Sequence, residues 1–233
     1  GDAPPMHWVK GNIDILTHQS VAMVGARNAS SLGTRMAKYF PQDMGAHDWI
    51  IGSGRARGID AAAHTAALTT GTIAVLGGGV DVFYPTENRQ LAEAISEKGL
   101  LISEQPMSLQ PMARHFPMRN RLISGLAKGV IVIEAASKSG SLITAKNALD
   151  QGRDVLVVPG HPFDARSSGC NMLLRDGATL VRNAEDVIEA LSPQMQYAMD
   201  IPEPPAEPQR SLRETSQLHQ KILDKLSTSG LPE

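Results

Sequence analysis

Trp49-Ile50-Ile51-Gly52-Ser53-Gly54-Arg55-Ala56-Arg57-Gly58-Ile59-Asp60-Ala61-Ala62-Ala63-His64 carries the reading of the fold. It begins as a short apolar run that reads as a buried strand. It turns through glycine, serine and arginine, then enters an alanine-rich segment that reads as a helix, because alanine has the highest helix propensity. A strand, a Gly-rich turn and a helix N-terminus make an anion site: glycine lets the backbone come close, and the first-turn N–H groups point at the ligand. Arg55 and Arg57 add formal positive charge. The plain alternative is a tight turn with no ligand, and the loop alone leaves both open.

Outward from this loop the same unit repeats. Residues 20–24 form a short β-branched and apolar run ending at Gly25, and Ser30 or Ser31 is placed to cap a helix reaching about Met44. The organising loop follows a strand over 48–53 and opens a helix to about Leu68. Strands over 72–76, 99–103, 129–133 and 154–158 follow. They alternate with helices from Thr86 to Lys98, from Arg119 to Leu126 and from about Leu142 to Gln151. A short helix near 171–175, a last strand over 178–181 and a last helix over 184–191 complete the pattern. Residues 105–118, with Pro106, Pro111 and Pro117, read as a long connection, a kind of segment that is often functional. Strand–helix alternation of this kind implies a parallel sheet with helices on both faces. Ligands of such sheets bind beyond the carboxyl ends of the strands. Gly25, 52–58, 77–79, 134–141 and 159–161 all fall there, so these loops are expected to line one crevice.

The domain plan is a lead-in over 1–19, the α/β domain over 20–191, a Pro-rich acidic linker over 192–210 and a tail helix over 211–233. Leu218, Ile222, Leu223 and Leu226 share helical spacing. A single helix makes no core, so the tail is an interaction helix or the start of a further domain.

The 233 residues, 42% hydrophobic, suffice for one sizeable core or for one domain plus an appendage. Cys170 is the only cysteine, which excludes an intrachain disulfide and a cysteine metal cluster and suits a reducing cytoplasm. Residues 1–5 lack the basic and apolar regions of a signal peptide, and no apolar run reaches the roughly 18 residues of a membrane span. Net charge is −2, which argues against nucleic acid on average. The distribution argues otherwise. No acid stands between Asp14 and Asp43 or between Glu104 and Glu134, whereas those stretches hold Arg27, Arg35, Lys38, Arg114, Arg119, Arg121 and Lys128.

Several chemistries fail on the residues. A dinucleotide fingerprint wants an acid about twenty residues on, closing the next strand, and here that strand closes in Gly77. There is no Gly-Lys-Ser/Thr triplet for a P-loop and no Gly-x-Ser-x-Gly elbow. Asp60 and His64 stand four apart on a helix, too few to hold a metal; Asp60 reads as a first-turn charge and His64 as a packed or surface histidine. Glu134 is the best lone candidate for a base, against the plainer reading of an ion-pair partner for a crevice arginine. In His115-Phe116-Pro117-Met118-Arg119-Asn120-Arg121, arginine offers a donor fork for phosphate and Phe116 a face for a base. Arg119 and Arg121 diverge on a helix, so one of them faces the crevice. Ser139-Gly140-Ser141 opens a helix as a second anion-type site, or simply caps it. Cys170 reads as structural.

The runs Val24-Gly25-Ala26-Arg27-Asn28, Ser53 to His64, and Thr72-Ile73-Ala74-Val75-Leu76-Gly77-Gly78-Gly79 resemble the DNA-processing protein A family (DprA, also called Smf). So do Tyr84-Pro85-Thr86-Glu87-Asn88, Phe116 to Leu126, Glu134-Ala135-Ala136 and Ser139 to Ala145. The match spans roughly 8–191 in order. The resemblance implies an extended Rossmann-like, doubly wound, mostly parallel sheet that binds single-stranded DNA, with no enzymatic activity and no cofactor or metal. It implies protection of incoming strands in natural transformation and DNA uptake, recombination mediation by loading a RecA-type recombinase, a homodimer through about 165–190, and a cytoplasmic, membrane-free setting. Carried over, the phosphate-binding residues are Arg27, Ser53, Gly54, Arg57, Gly58, Arg119, Asn120, Gly140 and Ser141; Phe116, read from its own segment, is the candidate base contact or else anchors the loop in the core. Arg55 stands where the family usually has leucine, and Thr86 where some members have a basic residue. The family's helical N-terminal domain is absent from these residues, and its C-terminal winged-helix module would begin near 211.

The rival is an enzyme resembling the lysine-decarboxylase-like phosphoribohydrolases, which cleave nucleoside monophosphates. Their Pro-Gly-Gly-x-Gly-Thr-x-x-Glu signature is missing where this chain reads Glu134-Ala135-Ala136-Ser137-Lys138-Ser139-Gly140-Ser141. A purely structural scaffold, a third class, predicts no nucleic-acid binding.

Overall fold

A computed structural model describes residues 3–54, 56–84, 86–192 and 212–228. The chain divides into two units, Gly1–Pro193 and Gln194–Glu233. In the first, β1 (Trp8–Gly11) and a 3-10 turn (Ile13–Thr17) lead to β2 (Ser20–Gly25), α1 (Ser31–Gly45), β3 (Ile50–Ser53), α2 (Ile59–Ala67) and β4 (Thr72–Val75). Then come a 3-10 turn (Thr86–Asn88), α3 (Arg89–Lys98), β5 (Leu100–Ser103), α4 (His115–Gly125), β6 (Gly129–Ile133), α5 (Ser141–Asp150) and β7 (Asp154–Val157). A 3-10 turn (Ala165–Ser167), α6 (Ser168–Arg175), β8 (Thr179–Leu180) and α7 (Ala184–Leu191) complete it.

The strands form one sheet in the order β1-β5-β4-β3-β2-β6-β7-β8. All pairs are parallel except β1 with β5, where Trp8 stands opposite Ser103. The chain builds outward from β2 through β3, β4 and β5, then crosses back to lay β6 on the other side of β2. That reversal is the topological switch point, where open α/β sheets hold their ligands.

Both faces of the sheet are covered, which is why the strands read as apolar runs without alternation. Ala22, Val24, Val130 and Val132 pack with Leu122, Ile123, Ala145, Ala148 and Cys170 on the face of α4, α5 and α6. Val21, Met23, Ile131 and Ile133 pack with Phe40, Met44, Ile59, Ala63 and Val187 on the face of α1, α2 and α7. Cys170 is buried, and burial pushes its thiol upward in pKa, away from reactivity.

Two segments depart from the sequence reading. The lead-in over 1–19 contributes the antiparallel edge strand β1, hidden in the sequence because an edge strand keeps most of its residues exposed and lacks an apolar run. The helix expected from Arg119 starts a turn earlier, at His115. Pro117 lies in its first turn, where a missing N–H leaves no internal bond unmade. The linker over 192–210 lies outside the described residues apart from Ser192. In the second unit, α8 spans Leu212–Thr228 with Leu218, Ile222, Leu223 and Leu226 exposed.

Candidate functional site

The loops at the carboxyl ends of the strands enclose two adjoining cavities. One, about 770 Å³, lies at the β2/β6 switch point between the 25–28 turn, Asn120 on α4 and the 136–141 turn. The other, about 400 Å³, lies over β3 and β4 and includes Gly54, Arg57, Gly77 and Tyr84. Arg27, Ala56, Phe116 and Arg119 line both. The 159–161 segment does not join them. It lines a separate cavity of about 440 Å³ with Ser30, Glu134 and Val158.

Arg119 is the buried centre of the crevice wall, 6% exposed. Its Nη1 donates to the carbonyl of Gly54 at 2.6 Å and to that of Val75, tying α4 across the ends of β3 and β4. Gly54 leaves room for this close approach: a Cβ there would meet the guanidinium at 2.8 Å. Asp60, at the start of α2, is also 6% exposed. Burial pushes its carboxyl above the ordinary range, while the Arg119 guanidinium and the amide of Ala56, donating at 3.2 Å, pull the other way. Arg121, two residues along, pairs with Glu104 at 2.5 Å away from the crevice, so the two arginines do diverge.

The organising loop is closed upon itself. The Ser53 hydroxyl is fully buried and donates to the carbonyl of Met23 at 2.6 Å, so it turns inward rather than toward a ligand. The Ile59 amide, at the head of α2, donates to the carbonyl of Ala26 at 3.2 Å. Gly58 stands at φ +75, and a Cβ there would lie 2.2 Å from that same carbonyl. Arg57 is exposed and meets Glu87 at 3.7 Å, a surface pair of small energetic weight. Arg55 lies outside the described residues. His64 is packed, with Nδ1 2.7 Å from the Thr72 hydroxyl.

The β6–α5 turn is open. Ser141 anchors it by donating to the carbonyl of Gly25 at 2.8 Å, and the Ser139 hydroxyl accepts from the Ser141 amide at 3.3 Å. The Asn120 amide donates to the carbonyl of Gly140 at 3.5 Å. A Cβ at Gly140 would meet nothing within 4 Å. Arg27 and Lys138 are exposed beside the cavity and enter no ion pair among the described residues. Glu134, read as a base or an ion-pair partner, is held by Ser30. Its carboxylate accepts from the Ser30 amide at 2.8 Å and from the Ser30 hydroxyl, locking β6 to the head of α1. Its backbone sits at φ +53, a strained conformation for a non-glycine residue.

Phe116 is half-buried and its ring meets that of Tyr84, centroids 6.0 Å apart. Tyr84 is 53% exposed at the mouth of the smaller cavity, a residue the sequence reading quoted without assigning a role. Lys138 and Arg166 were missed as well. The sign of each was legible, but their place on the crevice wall depends on the β6–β7 turns. Among the described residues no three His, Cys, Asp or Glu side chains stand together, and no helix is long and apolar enough to cross a membrane.

The family described as DNA recombination-mediator protein A matches residues 1–192. The DNA processing protein DprA of Streptococcus pneumoniae is 47% identical over 189 residues, covering 80% of this chain and 67% of the relative. The X-ray structure of that protein superposes with a TM-score of 0.78 at 46% identity, over 81% of this chain and 67% of the other. The Helicobacter pylori DNA processing protein A, a protein with a single-stranded DNA binding mode, superposes with a TM-score of 0.75 at 28% identity, over 81% of this chain and 87% of the other. Protein Smf of Escherichia coli is 42% identical over 205 residues, covering 87% of this chain and 55% of the relative. The chain thus spans between about half and two thirds of the length of these curated relatives.

Proposed function

The chain belongs to the DNA recombination-mediator protein A family, and on that premise we propose that it binds single-stranded DNA, without catalysis, along the carboxyl edge of its sheet. The observation that carries the reading is the switch-point crevice itself. It is lined by Arg27 and Lys138, which enter no ion pair among the described residues, by the open Gly140 turn and by the Phe116 ring. Cations of this kind neutralise phosphates, and an aromatic face takes an unstacked base of any identity. In this reading Arg27, Arg57, Asn120, Gly140 and Ser141 meet the backbone of the strand. Arg119 shapes the wall and supplies field, while Ser53, Gly54 and Gly58 hold the loops in register. The relatives' names support a role in DNA processing and recombination. Protection of incoming strands in natural transformation, loading of a RecA-type recombinase, a homodimer through about 165–190 and a cytoplasmic location are parts of the same proposal.

Fluorescence anisotropy of a labelled oligo-dT tests it. Binding should weaken as salt rises, resist competition by duplex, and lose roughly 0.7 from its log–log salt slope for each phosphate contact removed by Arg27→Ala or Lys138→Ala. An absence of binding at low salt overturns the reading. So does an unchanged salt slope in both variants.

A further inference from the structure

Phe163 is 94% exposed, more than any other large apolar side chain among the described residues. It stands in the loop after β7. Single exposed apolar residues are ordinary on protein surfaces. This one is held on a fixed backbone, however. The Asp164 amide donates to the carbonyl of His161 at 2.9 Å, and the Phe163 amide donates to His161 Nδ1 at 3.3 Å. The Asp164 carboxylate accepts from the amide of Arg166 at 2.9 Å and from its Nε at 3.2 Å. Asn171 on α6 donates its side-chain amide to the carbonyl of Gly160 at 3.1 Å, closing the loop at its base. The His161 ring lies beside the phenyl ring, centroids 5.7 Å apart. A phenyl face thus points into water from a constrained turn.

Its neighbourhood supplies the occupant. Arg166, three residues on, lines the larger crevice with Arg27 and Lys138. Three residues span at most about 10 Å, so the ring lies within reach of that crevice's basic edge, while His161 and Asp164 line the neighbouring cavity. Resting on the single-strand reading above, we propose that Phe163 is a stacking site for an unpaired base of the strand whose phosphates lie in the crevice, with Arg166 meeting the backbone between them. The site is separate from Phe116 on α4, and it extends the bound strand past the β7 end of the sheet. A phenyl face is indifferent to which base it meets, so the site adds affinity and length without adding sequence preference.

The test measures anisotropy on oligo-dT of about 16 and about 4 nucleotides, bracketing the range of single-strand site sizes. Phe163→Ala should lose roughly tenfold on the long strand, within the fold-change that about 1–3 kcal/mol of stacking per base implies, and little on the short one. Phe163→Trp should keep the affinity, and its emission should be quenched by the long strand. An abasic strand of the same length should bind wild type and Phe163→Ala alike. If wild type binds and Phe163→Ala binds the long strand equally well, the stacking site is overturned and the crevice reading stands. If wild type itself fails to bind, the crevice reading falls first. Light scattering completes the set: a lower mass for Phe163→Ala than for wild type would make the ring a contact between copies and overturn the proposal.

Discussion

The turn after β3 runs from Gly54 to Gly58, and the turn after β6 runs from Glu134 to Gly140; each delivers the chain from a buried strand to the head of a helix. In and beside the first, three donors have partners inside the protein. The Ile59 amide meets Ala26, the Ala56 amide meets Asp60, and the Ser53 hydroxyl meets Met23. Its glycines permit close approach of other groups, the Arg119 guanidinium at Gly54 and the Ala26 carbonyl at Gly58. In the second, Ser30 and Gly25 anchor the ends, the Ser137 amide meets the Ser168 hydroxyl and the Ser139 amide the Ala136 carbonyl, and Gly140 faces open space. A glycine-rich turn before a helix is therefore two different objects. One is a joint between elements, and the other is an opening toward a ligand. What separates them is whether another part of the protein fills the space over the glycine, and composition does not report that.

The comparison can be broken most forcefully at Arg119. Arg119→Ala leaves Asp60 buried without its opposite charge and removes the guanidinium's bonds to the Gly54 and Val75 carbonyls. We expect a loss of about 3–5 kcal/mol and a Tm lower by roughly 10 °C in thermal unfolding. An unchanged Tm would show that the β3 turn is not the joint described here. The same variant would also lower DNA binding by loosening the fold, so a binding defect in it says little about phosphate contact.

Next comes Gly58→Ala, which forces a Cβ against the Ala26 carbonyl at positive φ. About 2–3 kcal/mol should be lost, read from the urea midpoint at constant m-value. Asp60→Asn sharpens the electrostatics of the same joint. Burial raises the folded-state pKa above the ordinary 3.8, so the ionised carboxyl is penalised in the folded protein. That penalty is present above the folded-state pKa and is relieved as pH falls through it toward 3.8. Wild type should gain stability relative to Asp60→Asn over that acid window, and a relative loss there would mean that Arg119 outweighs burial. The smallest stability effect belongs to Gly140→Ala. Its methyl meets open space, so the unfolding free energy should hold to within about 0.5 kcal/mol, while oligo-dT affinity falls several-fold because the methyl narrows the crevice. Equal stability losses at Gly58 and Gly140 would erase the distinction between the two turns.

The alternation of strands and helices was legible because each buried strand is an apolar run and each turn carries glycine, serine or proline. β1 was not legible, because Trp8–Gly11 is an edge strand paired antiparallel to β5, and a partner about ninety residues away leaves no local trace. The start of α4 was obscured by Pro117, which punctuates most sequences but is harmless in a first turn. At the site, the divergence of Arg119 and Arg121 followed from helix geometry alone. The inward turn of Ser53 did not, since a strand buried on both faces offers no alternation to tell one side chain's direction from the next. The tie between Glu134 and Ser30 was out of reach for the same reason as β1: it joins two points that only the folded sheet brings together.

That tie has a kinetic consequence. Ser30 and Glu134 are separated by 104 residues of chain. β2 finds β3 nearby in sequence, but its other edge stays bare until β6 has been made and brought back across the sheet. Loop-closure entropy must be overcome before that long-range pairing returns any stability, which places it late in folding. The floor of the crevice is the seam between β2 and β6, so the groove that would receive a strand takes shape only as the sheet becomes whole.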